Sequence, residues 1–418
     1  MYLRGSKWNL NRRRRQRPNL WRILFLSAVI AGLLYFNQTV VSNTPPLFIA
    51  TPTPTRAPES FVSEAEKYEA EGKLKQAIQA YQQAIQAEPK SVSNYINLAR
   101  LQIWTGDYKN AVTNAENALL LNSENSLAHA LRGWALSQLG EYLEAEAAIK
   151  RALELDPNNA SAYAYYAELL VLEANAGQGG IGTIDNAIEA SKTALALAPN
   201  ALDTHRARGV VLEITGNPEE AIAEFRAAIA MNDAIADLHL ALGRNYRTIE
   251  DYPKAVEEFN RANSLNPPDP LPDLYISRTY LTVGEYAKAI QYAEQAVKDD
   301  PSDPNLYGNL GTMYYRAKRY SESLEPFRMA IRGGKTAAGE SISPLPLDYG
   351  KVAEYYYMFG LALARTGACG EAIQISQALA QSVPEDDIAV YNAQEMLNIC
   401  QEYIKNGTPT PEPTKGGG

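Results

Sequence analysis

Hydrophobic and small residues recur along most of this chain at fixed places between a glycine and a proline. Residues 140–157, GEYLEAEAAIKRALELDP, show the pattern most completely: an aromatic residue stands at the third place, and alanines stand at 145 and 152. A proline closes the stretch because it cannot be carried into the interior of a helix. The stretch therefore predicts one helix that follows a turn and ends before Pro157.

Variants of this stretch follow one another with a period of 34 residues. The positions 72–106–140 and 216–250–284–318 are all separated by intervals of 34. Such a period, with small residues at fixed offsets, predicts an all-α solenoid built from helix–turn–helix units. The opening position of the stretch falls at Gly72, Gly106, Gly140, Gly216, Glu250, Gly284, Lys318 and Gly367.

These positions resemble the tetratricopeptide repeat (TPR) family over about 330 of the 418 residues. In that family a large residue stands at the fourth place, a small one at the eighth, and alanines at the twentieth and twenty-seventh. Repeat six has His239, Gly243, Ala255 and Ala262 at those places. The resemblance implies a right-handed superhelix whose concave face is lined by the first helix of each repeat.

The repeat phase also gives the organisation of the domain. About nine repeats are expected over residues 61–387. The phase breaks twice, which predicts insertions at 175–185 and 333–351. Residues 388–405 predict one further amphipathic helix that caps the solenoid, and the tail 406–418 is expected to be disordered.

Residues 23–41, ILFLSAVIAGLLYFNQTVV, predict a single transmembrane helix. Residues 1–22 carry eight lysines or arginines and no acid. This basic tail would stay in the cytoplasm and place the repeats outside the cytoplasmic membrane. Residues 42–60 are rich in proline and threonine and predict a semi-rigid linker. A cleaved signal peptide is the alternative, although no convincing small-x-small cleavage site is present.

The charge of the chain is divided unevenly. The whole chain has a net charge of −9, and subtracting the eight cationic residues of the N-terminal tail leaves −17 for the remainder. Contacts with phosphates need a basic face, so an acidic body argues against nonspecific nucleic-acid binding.

No combination of residues predicts catalysis, a cofactor or a metal centre. The histidines, at 129, 205 and 239, all fall at the fourth place of a repeat, where packing explains them. Residues 177–182, GQGGIG, interrupt a helical hairpin, whereas a dinucleotide loop must follow a strand. Residues 334–336, GKT, lack the earlier glycine of a phosphate loop. The sequence therefore predicts a protein that is not an enzyme.

Cys369 and Cys400 are the two cysteines of the chain, and the repeat phase puts both at one edge of the stack. Outside the cytoplasm, a disulfide between them would pin the capping helix. Two separate thiols are the alternative, because a sequence does not fix the distance between two Cβ atoms.

The TPR resemblance implies that places two, five, six, nine, twelve and thirteen of each repeat face the groove. In the earlier repeats these places hold Arg100, Trp104, Trp134, Tyr165, Glu168, Arg206 and Glu213. Arginine forks bind carboxylates, and tyrosines supply flat contact area. We therefore expect an acidic or C-terminal peptide along repeats six to eight, with a solvated polar face as the alternative. The residues expected to bind this partner are Arg244, Arg247, Tyr275, Arg278, Asn305, Asn309, Tyr315 and Arg316.

These features together predict a membrane-anchored scaffold that binds proteins at the cell envelope. The carboxylate clamp of heat-shock chaperone adaptors is not reproduced, since Ala241 and Leu271 occupy clamp-type places. A scaffold for glycan handling or exopolysaccharide export is the alternative, because tyrosines together with Trp104 and Trp134 could stack on sugars.

Overall fold

The computed structural model describes residues 19–41 and 56–406, and it divides into two units that are described separately. The first unit contains α1 (Leu20–Phe36), which continues as a π-helix over Asn37–Val41. Its stretch Leu20–Thr39 is long and apolar enough to cross a membrane, a test that a signal sequence also passes. The helix begins three residues before the predicted start at residue 23. The predicted tails at 1–18 and 407–418, and positions 42–55 of the predicted linker, lie outside the described residues.

The second unit is a solenoid of helical hairpins. Within residues 56–406, nine hairpins are followed by one further helix, α20 (Asp387–Asn406). The first helices of the hairpins are α2 (Pro58–Ala70), α4 (Val92–Trp104), α6 (Ser126–Gln138), α8 (Ala160–Asn175), α10 (Leu202–Ile214), α12 (Ala236–Thr248), α14 (Leu271–Thr282), α16 (Pro304–Arg316) and α18 (Lys351–Arg365). The second helices are α3 (Leu74–Ala87), α5 (Tyr108–Leu121), α7 (Tyr142–Leu155), α9 (Thr183–Leu197), α11 (Pro218–Met231), α13 (Tyr252–Leu265), α15 (Tyr286–Asp299), α17 (Tyr320–Arg332) and α19 (Cys369–Ser382).

The repeated glycine marks the turn inside a hairpin, where the backbone has a positive φ. Gly140 has a φ of 80° and Gly284 one of 81°. A side chain in this left-handed region costs about 1 kcal/mol, which explains the preference for glycine. Glu250 and Lys318 replace the glycine and still adopt φ values of 63° and 61°. The turn therefore keeps its geometry at positions 250 and 318, where another residue replaces the glycine.

Small and large residues alternate between the two helices of a hairpin where these helices cross. A Cβ atom at Gly243 would lie 2.6 Å from the ring of Phe259 on the second helix. In hairpin two the corresponding residues are Ala99 and Ala115, both fully buried. A glycine on one helix thus makes room for an aromatic ring on the other, which keeps the crossing close-packed.

Both insertions differ in detail from the prediction. The first was placed at 175–185, but α8 runs to Asn175 and α9 begins at Thr183, so only residues 176–182 lie between helices. The second was placed at 333–351, and α18 already begins at Lys351. It contains a short antiparallel pair, β1 (Gly334–Lys335) and β2 (Ser341–Ile342), which the sequence did not predict.

The hydrophobic core is continuous through the first hairpins and interrupted later. One cluster of buried residues extends from Ala65 to Ile276, and a second from Phe327 to Cys400. Only two small clusters, centred on Ala289–Met313 and on Leu274, Ala296 and Leu306, lie between them among the described residues. The solenoid therefore has an N-terminal and a C-terminal region with a thinner core between them.

Helix α20 closes the C-terminal end by packing on α18 and α19. Met396 contacts the position of Gly360, where an added Cβ atom would lie 2.4 Å from its sulfur. The structure joins Cys369 at the start of α19 to Cys400 on α20 by a disulfide, with the two Cα atoms 5.5 Å apart. This bond ties the last helix to the turn of hairpin nine.

The N-terminal region closes on itself. A Cβ atom at Gly72, in the turn of hairpin one, would lie 3.1 Å from the Cβ of Ala234, in the loop between α11 and α12. Ile235 of the same loop is fully buried. Tyr108 of hairpin two lines one cavity together with Asp269, which precedes α14. Hairpins one and two thus contact hairpins five to seven, and the first helices in between line an interior.

Candidate functional site

The first helices line two cavities that differ in size and charge. The larger, here called the inner cavity, has a volume of about 650 Å³ and lies within hairpins two to seven. The smaller, here called the basic cavity, has about 250 Å³ and lies at hairpins seven to nine. The ionisable residues of the inner cavity are Tyr108, Glu168, Arg206, Glu213, Asp237, Arg244, Asp269 and Tyr275. The basic cavity is lined by Arg278, Leu281, Tyr286, Asn309, Thr312, Met313, Arg316, Lys351 and Glu354.

Arg206 is the centre of a buried ion-pair network in the inner cavity. Its Nε lies 3.0 Å from Oε1 of Glu168, and its Nη2 lies 2.6 Å from Oδ2 of Asp237. Trp134 Nε1 donates to Glu168 Oε2 at 2.9 Å, and the Arg206 guanidinium lies 4.6 Å from the centre of the Trp134 ring. Burial raises the pKa of Glu168 to about 7, although the charge of Arg206 opposes this shift. Nε and Nη2 of Arg206 are thus both paired with carboxylates inside the protein.

Arg244, the second guanidinium of the inner cavity, is also neutralised. Its Nε and Nη2 donate to the two carboxylate oxygens of Glu213 at 2.7 and 2.9 Å. We expected from the sequence that this bidentate arrangement would bind a carboxylate of a partner. Glu213 thus occupies Nε and Nη2 of Arg244 inside the protein, and the role of Arg244 in binding a partner stays a prediction.

The basic cavity has the opposite balance of charge. Arg278 Nε donates to Oδ1 of Asn309 at 3.1 Å, and Asn309 is held in turn by the hydroxyl of Ser277. Glu354 is the one carboxylate that lines the cavity, and it is shared by Lys351 at 2.6 Å and Arg316 at 3.7 Å. Three cations and one carboxylate thus line this space.

Arg247 is a further cation, whose charge interacts with that of Arg278 in the basic cavity. It lies over the ring of Tyr275 at 5.5 Å, and Tyr275 stacks on Phe259 with ring centres 5.4 Å apart. Burial lowers the pKa of Arg247, and the charges of Arg278 and Arg244 lower it further. Neither Arg247 nor Arg278 has a carboxylate within 4.0 Å among the residues that the structure describes.

The eight predicted binding residues therefore divide between several places. Arg278, Asn309 and Arg316 line the basic cavity, whereas Arg244 and Tyr275 line the inner cavity. Asn305 is exposed, with its side chain donating to Asp303 at 2.9 Å. Tyr315 lies outside both linings and contacts the ring of Tyr320 at 5.4 Å. The structure thus brings Arg278, Asn309 and Arg316 together in one cavity and places the other five elsewhere.

The two groove tryptophans are not available for stacking on a sugar. Trp134 is fully buried and stacks on Tyr165 with ring centres 4.2 Å apart. Trp104 is 9% exposed, and Arg100 lies over its ring. The expectation that these rings offer a glycan platform is wrong, because the closed N-terminal region packs both of them inside.

The histidines join the two helices of their own hairpins or bind a neighbouring loop. His205 Nδ1 lies 2.6 Å from Glu224, and His239 Nδ1 lies 2.7 Å from Glu258, in each case on the second helix of the same hairpin. His129 Nε2 lies 2.9 Å from the carbonyl oxygen of Ser123. No group of three potential metal ligands occurs among residues 19–41 and 56–406.

Sequence reasoning missed several residues of the two cavities. Tyr108 is the aromatic residue two positions after the turn glycine of its repeat. This position did not indicate that Tyr108 lines a cavity together with residues of hairpins six and seven. Lys351 and Glu354 follow the second insertion, where the repeat phase is lost. A usable signal was a spacing of 31 residues between partners on successive first helices: it separates Glu69 from Arg100, Arg206 from Asp237, Glu213 from Arg244 and Arg278 from Asn309.

Comparisons with known proteins agree with this architecture. Family models described as "Tetratricopeptide repeat" match residues 68–135, 126–159, 180–234, 215–270 and 276–338, which together exceed half of the chain. Human DnaJ homolog subfamily C member 7 is 29% identical over 125 residues, or 30% of this chain and 25% of the relative. The CTR9 homolog of Arabidopsis thaliana is 30% identical over 129 residues, or 30% of this chain and 12% of the relative. The chain thus spans a quarter or less of the length of these relatives.

Several solved structures match about half of this chain. The structure of pilF from Pseudomonas aeruginosa is 16% identical, with a TM-score of 0.44, and the match covers 57% of this chain and 99% of that one. PilW, a type IV pilus biogenesis factor, is 18% identical with a TM-score of 0.43, covering 49% and 91%. A thermophilic TPR protein from Thermus thermophilus is 22% identical with a TM-score of 0.39, covering 46% and 100%. At these identities the likeness concerns the fold alone.

Proposed function

The chain belongs to the tetratricopeptide repeat family, and from that premise we propose that it is a non-catalytic scaffold at the outer face of the cytoplasmic membrane. TPR domains bind proteins or peptides, so a protein-binding role follows from the fold. The finer proposal is that the partner presents an acidic segment to the first helices of hairpins six to nine.

The observation that carries this proposal is the unbalanced positive charge of the basic cavity together with Arg247, whose charge interacts with that of Arg278. Arg247 and Arg278 lack a carboxylate partner, while Arg316 and Lys351 share Glu354. Arginine side chains that lack a carboxylate partner bind carboxylates by charge-assisted hydrogen bonds, which are about twice as strong as hydrogen bonds between neutral groups. The exposed ring of Tyr286 adds a flat apolar surface at the same cavity. An acidic segment with apolar neighbours fits this combination.

The N-terminal helix supports the proposed location. The eight cationic residues before it favour a cytoplasmic N-terminus, which would place the hairpins outside. A disulfide between Cys369 and Cys400 fits an oxidising compartment. Anchoring would also raise the local concentration of the scaffold near membrane-bound partners and so increase apparent affinity.

A binding assay tests the partner chemistry. The full chain is placed in lipid nanodiscs, and fluorescence anisotropy measures its affinity for a labelled ten-residue peptide of alternating glutamate and leucine. A peptide with glutamine for glutamate is the charge-free probe. We expect the acidic peptide to bind at least about tenfold more tightly, because a lost charge pair removes about 1.4 kcal/mol or more. The double variant Arg247→Gln, Arg278→Gln should abolish the difference.

Arg226→Gln is the matched control, since Arg226 is an exposed arginine on the second helix α11. It should leave the affinity unchanged. Equal binding of the two peptides, or equal losses in the control and the double variant, would reject the proposal that the basic cavity binds the acidic segment.

Two measurements on intact cells test the location. Protease added outside should digest the hairpins, and full protection of this domain would overturn the outside placement. Thiol labelling of the unreduced full chain should find no reactive cysteine if Cys369 and Cys400 are bridged. Two labelled thiols would show that Cys369 and Cys400 are not bridged, and the disulfide would then not support an oxidising compartment.

A further inference from the structure

The inner cavity has the size and lining of a binding site for a small group. Its volume of about 650 Å³ falls within the 300–1,000 Å³ range that is common for ligand pockets. Its wall includes Val171, Val210, Ile214, Leu238 and Leu240, all aliphatic. A slender aliphatic chain would find a complementary surface there.

The charges of the side chains that line the cavity indicate which charged group of a ligand would bind there. Four carboxylates and two guanidiniums line the cavity. Arg244 forms an ion pair with Glu213, and Arg206 forms ion pairs with Glu168 and Asp237. Asp269 has no cation within 4.0 Å among the described residues, and its Oδ1 accepts a hydrogen bond only from the backbone N–H of Leu271 at 3.0 Å. The lining therefore holds more carboxylates than cations, and Asp269 is the carboxylate without a cationic partner.

Asp237, Asp269 and Tyr108 line the same cavity. Burial raises the pKa of Asp269, and the charge of Asp237 raises it further, so the two carboxylates repel each other. Burial raises the pKa of the Tyr108 hydroxyl, and the charges of Asp237 and Asp269 raise it further. The side chain of Asp237 is 43% exposed, which leaves this part of the lining open to solvent. A cation placed here would relieve the repulsion.

We propose that the inner cavity binds an ammonium group carried on an aliphatic chain, with Asp237 and Asp269 holding the charge and the aliphatic wall holding the chain. The ammonium group supplies three donors to carboxylate oxygens and to the Tyr108 hydroxyl. Its binding is independent of the basic cavity, which has the opposite charge. The same chemistry is offered by a lysine side chain of a bound peptide and by a free alkylamine.

The closed wall restricts the shape of this ligand. Tyr108 and Gln138 come from hairpins two and three, whereas Leu271 and Tyr275 come from hairpin seven. A helix of a partner, about 10 Å wide with its side chains, is too wide for a cavity of about 650 Å³ that is bounded by hairpins two and three on one side and hairpin seven on the other. An extended side chain or a small amine does fit.

Calorimetry on the full chain in nanodiscs tests the proposal, with protein-free nanodiscs subtracted. The free-amine arm compares n-pentylamine with n-pentanol, and the peptide arm compares acetyl-Leu-Lys-Leu-amide with its norleucine counterpart. We expect at least one amine to bind about tenfold or more tightly than its uncharged partner. Asp269→Asn should remove this preference, because the amide keeps the hydrogen bond to Leu271 and loses the charge.

Asp156→Asn is the matched control. Asp156 Oδ1 accepts the backbone N–H of Asn158 at 3.0 Å, so it has the same role after α7 that Asp269 has before α14, away from the cavity. Binding of the free amine alone identifies a metabolite-like ligand, and binding of the peptide alone identifies a partner's lysine; either supports the proposal. Equal binding of charged and uncharged probes, or an unchanged preference in Asp269→Asn, would overturn it. Neither result affects the test of the basic cavity.

Discussion

Arg244 and Arg278 stand 34 residues apart, at the same place of consecutive first helices, yet their surroundings differ. Arg244 holds Glu213 by two hydrogen bonds, whereas Arg278 donates to the neutral side chain of Asn309. The position 31 residues before Arg244 is Glu213, and the position 31 residues before Arg278 is Arg247. The repeat thus fixes where an arginine lies, and the residue on the preceding first helix decides whether its charge is neutralised.

The same contrast extends to the two regions of the solenoid. The N-terminal region has a continuous core, a buried ion-pair network and hairpins that close on one another. The stretch from α12 to α14 has two arginines without carboxylate partners, Arg247 and Arg278, and the C-terminal region contains an insertion and ends with a disulfide. The paired charges around Arg206 therefore contribute to folding, whereas Arg247 and Arg278 are the cations that we propose bind a partner.

Removing Arg206 should have the largest effect on stability. Arg206→Ala leaves Glu168 buried and without a counter-charge, which costs about 3–5 kcal/mol. Arg278→Ala, at the basic cavity, should cost less than about 1 kcal/mol, because no carboxylate loses its partner. Denaturant unfolding of the full chain measures both, and adding Glu168→Gln to Arg206→Ala should recover part of the loss. Similar losses for the two alanine variants would contradict the division of roles.

Much of this fold could be predicted from the sequence, because the turn glycines and the small crossing residues are local requirements. The nine hairpins and the capping helix follow from them. The closure of the N-terminal region could not be predicted, since it depends on a small rotation at each hairpin that adds up over five hairpins. This explains why Trp134 and Tyr165 were placed in an open groove, although both side chains are fully buried.

The candidate site was predicted only in part for a related reason. Repeat phase identified Arg278, Asn309 and Arg316, because their places are set within each hairpin. It did not show which carboxylates lie opposite, so Arg244 was included and Asp269 was missed. Lys351 and Glu354 follow an insertion, where the phase carries no information.

Tyr108 and Tyr286 provide a second matched comparison, since each stands two residues after a turn glycine. Tyr108 contacts the interior between hairpins, while Tyr286 is 46% exposed at the basic cavity. Tyr108→Ala should cost about 2 kcal/mol, less than a fully buried aromatic residue, and Tyr286→Ala should cost little. Hydrogen exchange of the full chain provides the sharper readout, because loss of Tyr108 should speed exchange in the loop at Ala234 and Ile235. An unchanged loop would show that Tyr108 does not hold the N-terminal region closed.

Asp273, on α14 between the two regions, should make stability depend on pH. It is 1% exposed, accepts from Asn263 of α13 at 3.0 Å, and faces Asp299 at the end of α15, which Gln295 also contacts. Burial raises the pKa of Asp273 to about 7, and the hydrogen bond with Asp299 and its charge add to the effect. Asp269 and Tyr292 are the other titratable groups close by.

The folded protein therefore holds this proton up to about pH 7, while the unfolded chain releases it near pH 4. Stability should fall as pH rises between these values, by about 1 kcal/mol from pH 6 to pH 7, and level off above. Asp273→Asn should remove this component, which denaturant midpoints of the full chain at pH 5 to 8 would detect. A variant with the same pH profile as the wild type would show that Asp273 does not carry the proton.

Arg247→Glu should convert the C-terminal arrangement into the N-terminal one. The new carboxylate would stand 31 residues before Arg278, as Glu213 stands before Arg244, and would form an ion pair in place of a repulsion. The gain in stability should be small, about 0.5–1 kcal/mol, because the pair is partly exposed. Binding of the acidic peptide should nevertheless be lost, since Arg278 would then be neutralised within the protein. Glu213→Arg is the reciprocal change, and it should leave Arg244 without its carboxylate and lower stability. If Arg247→Glu kept full affinity for the acidic peptide, the 31-residue pairing would not be what separates a structural arginine from one that binds a partner.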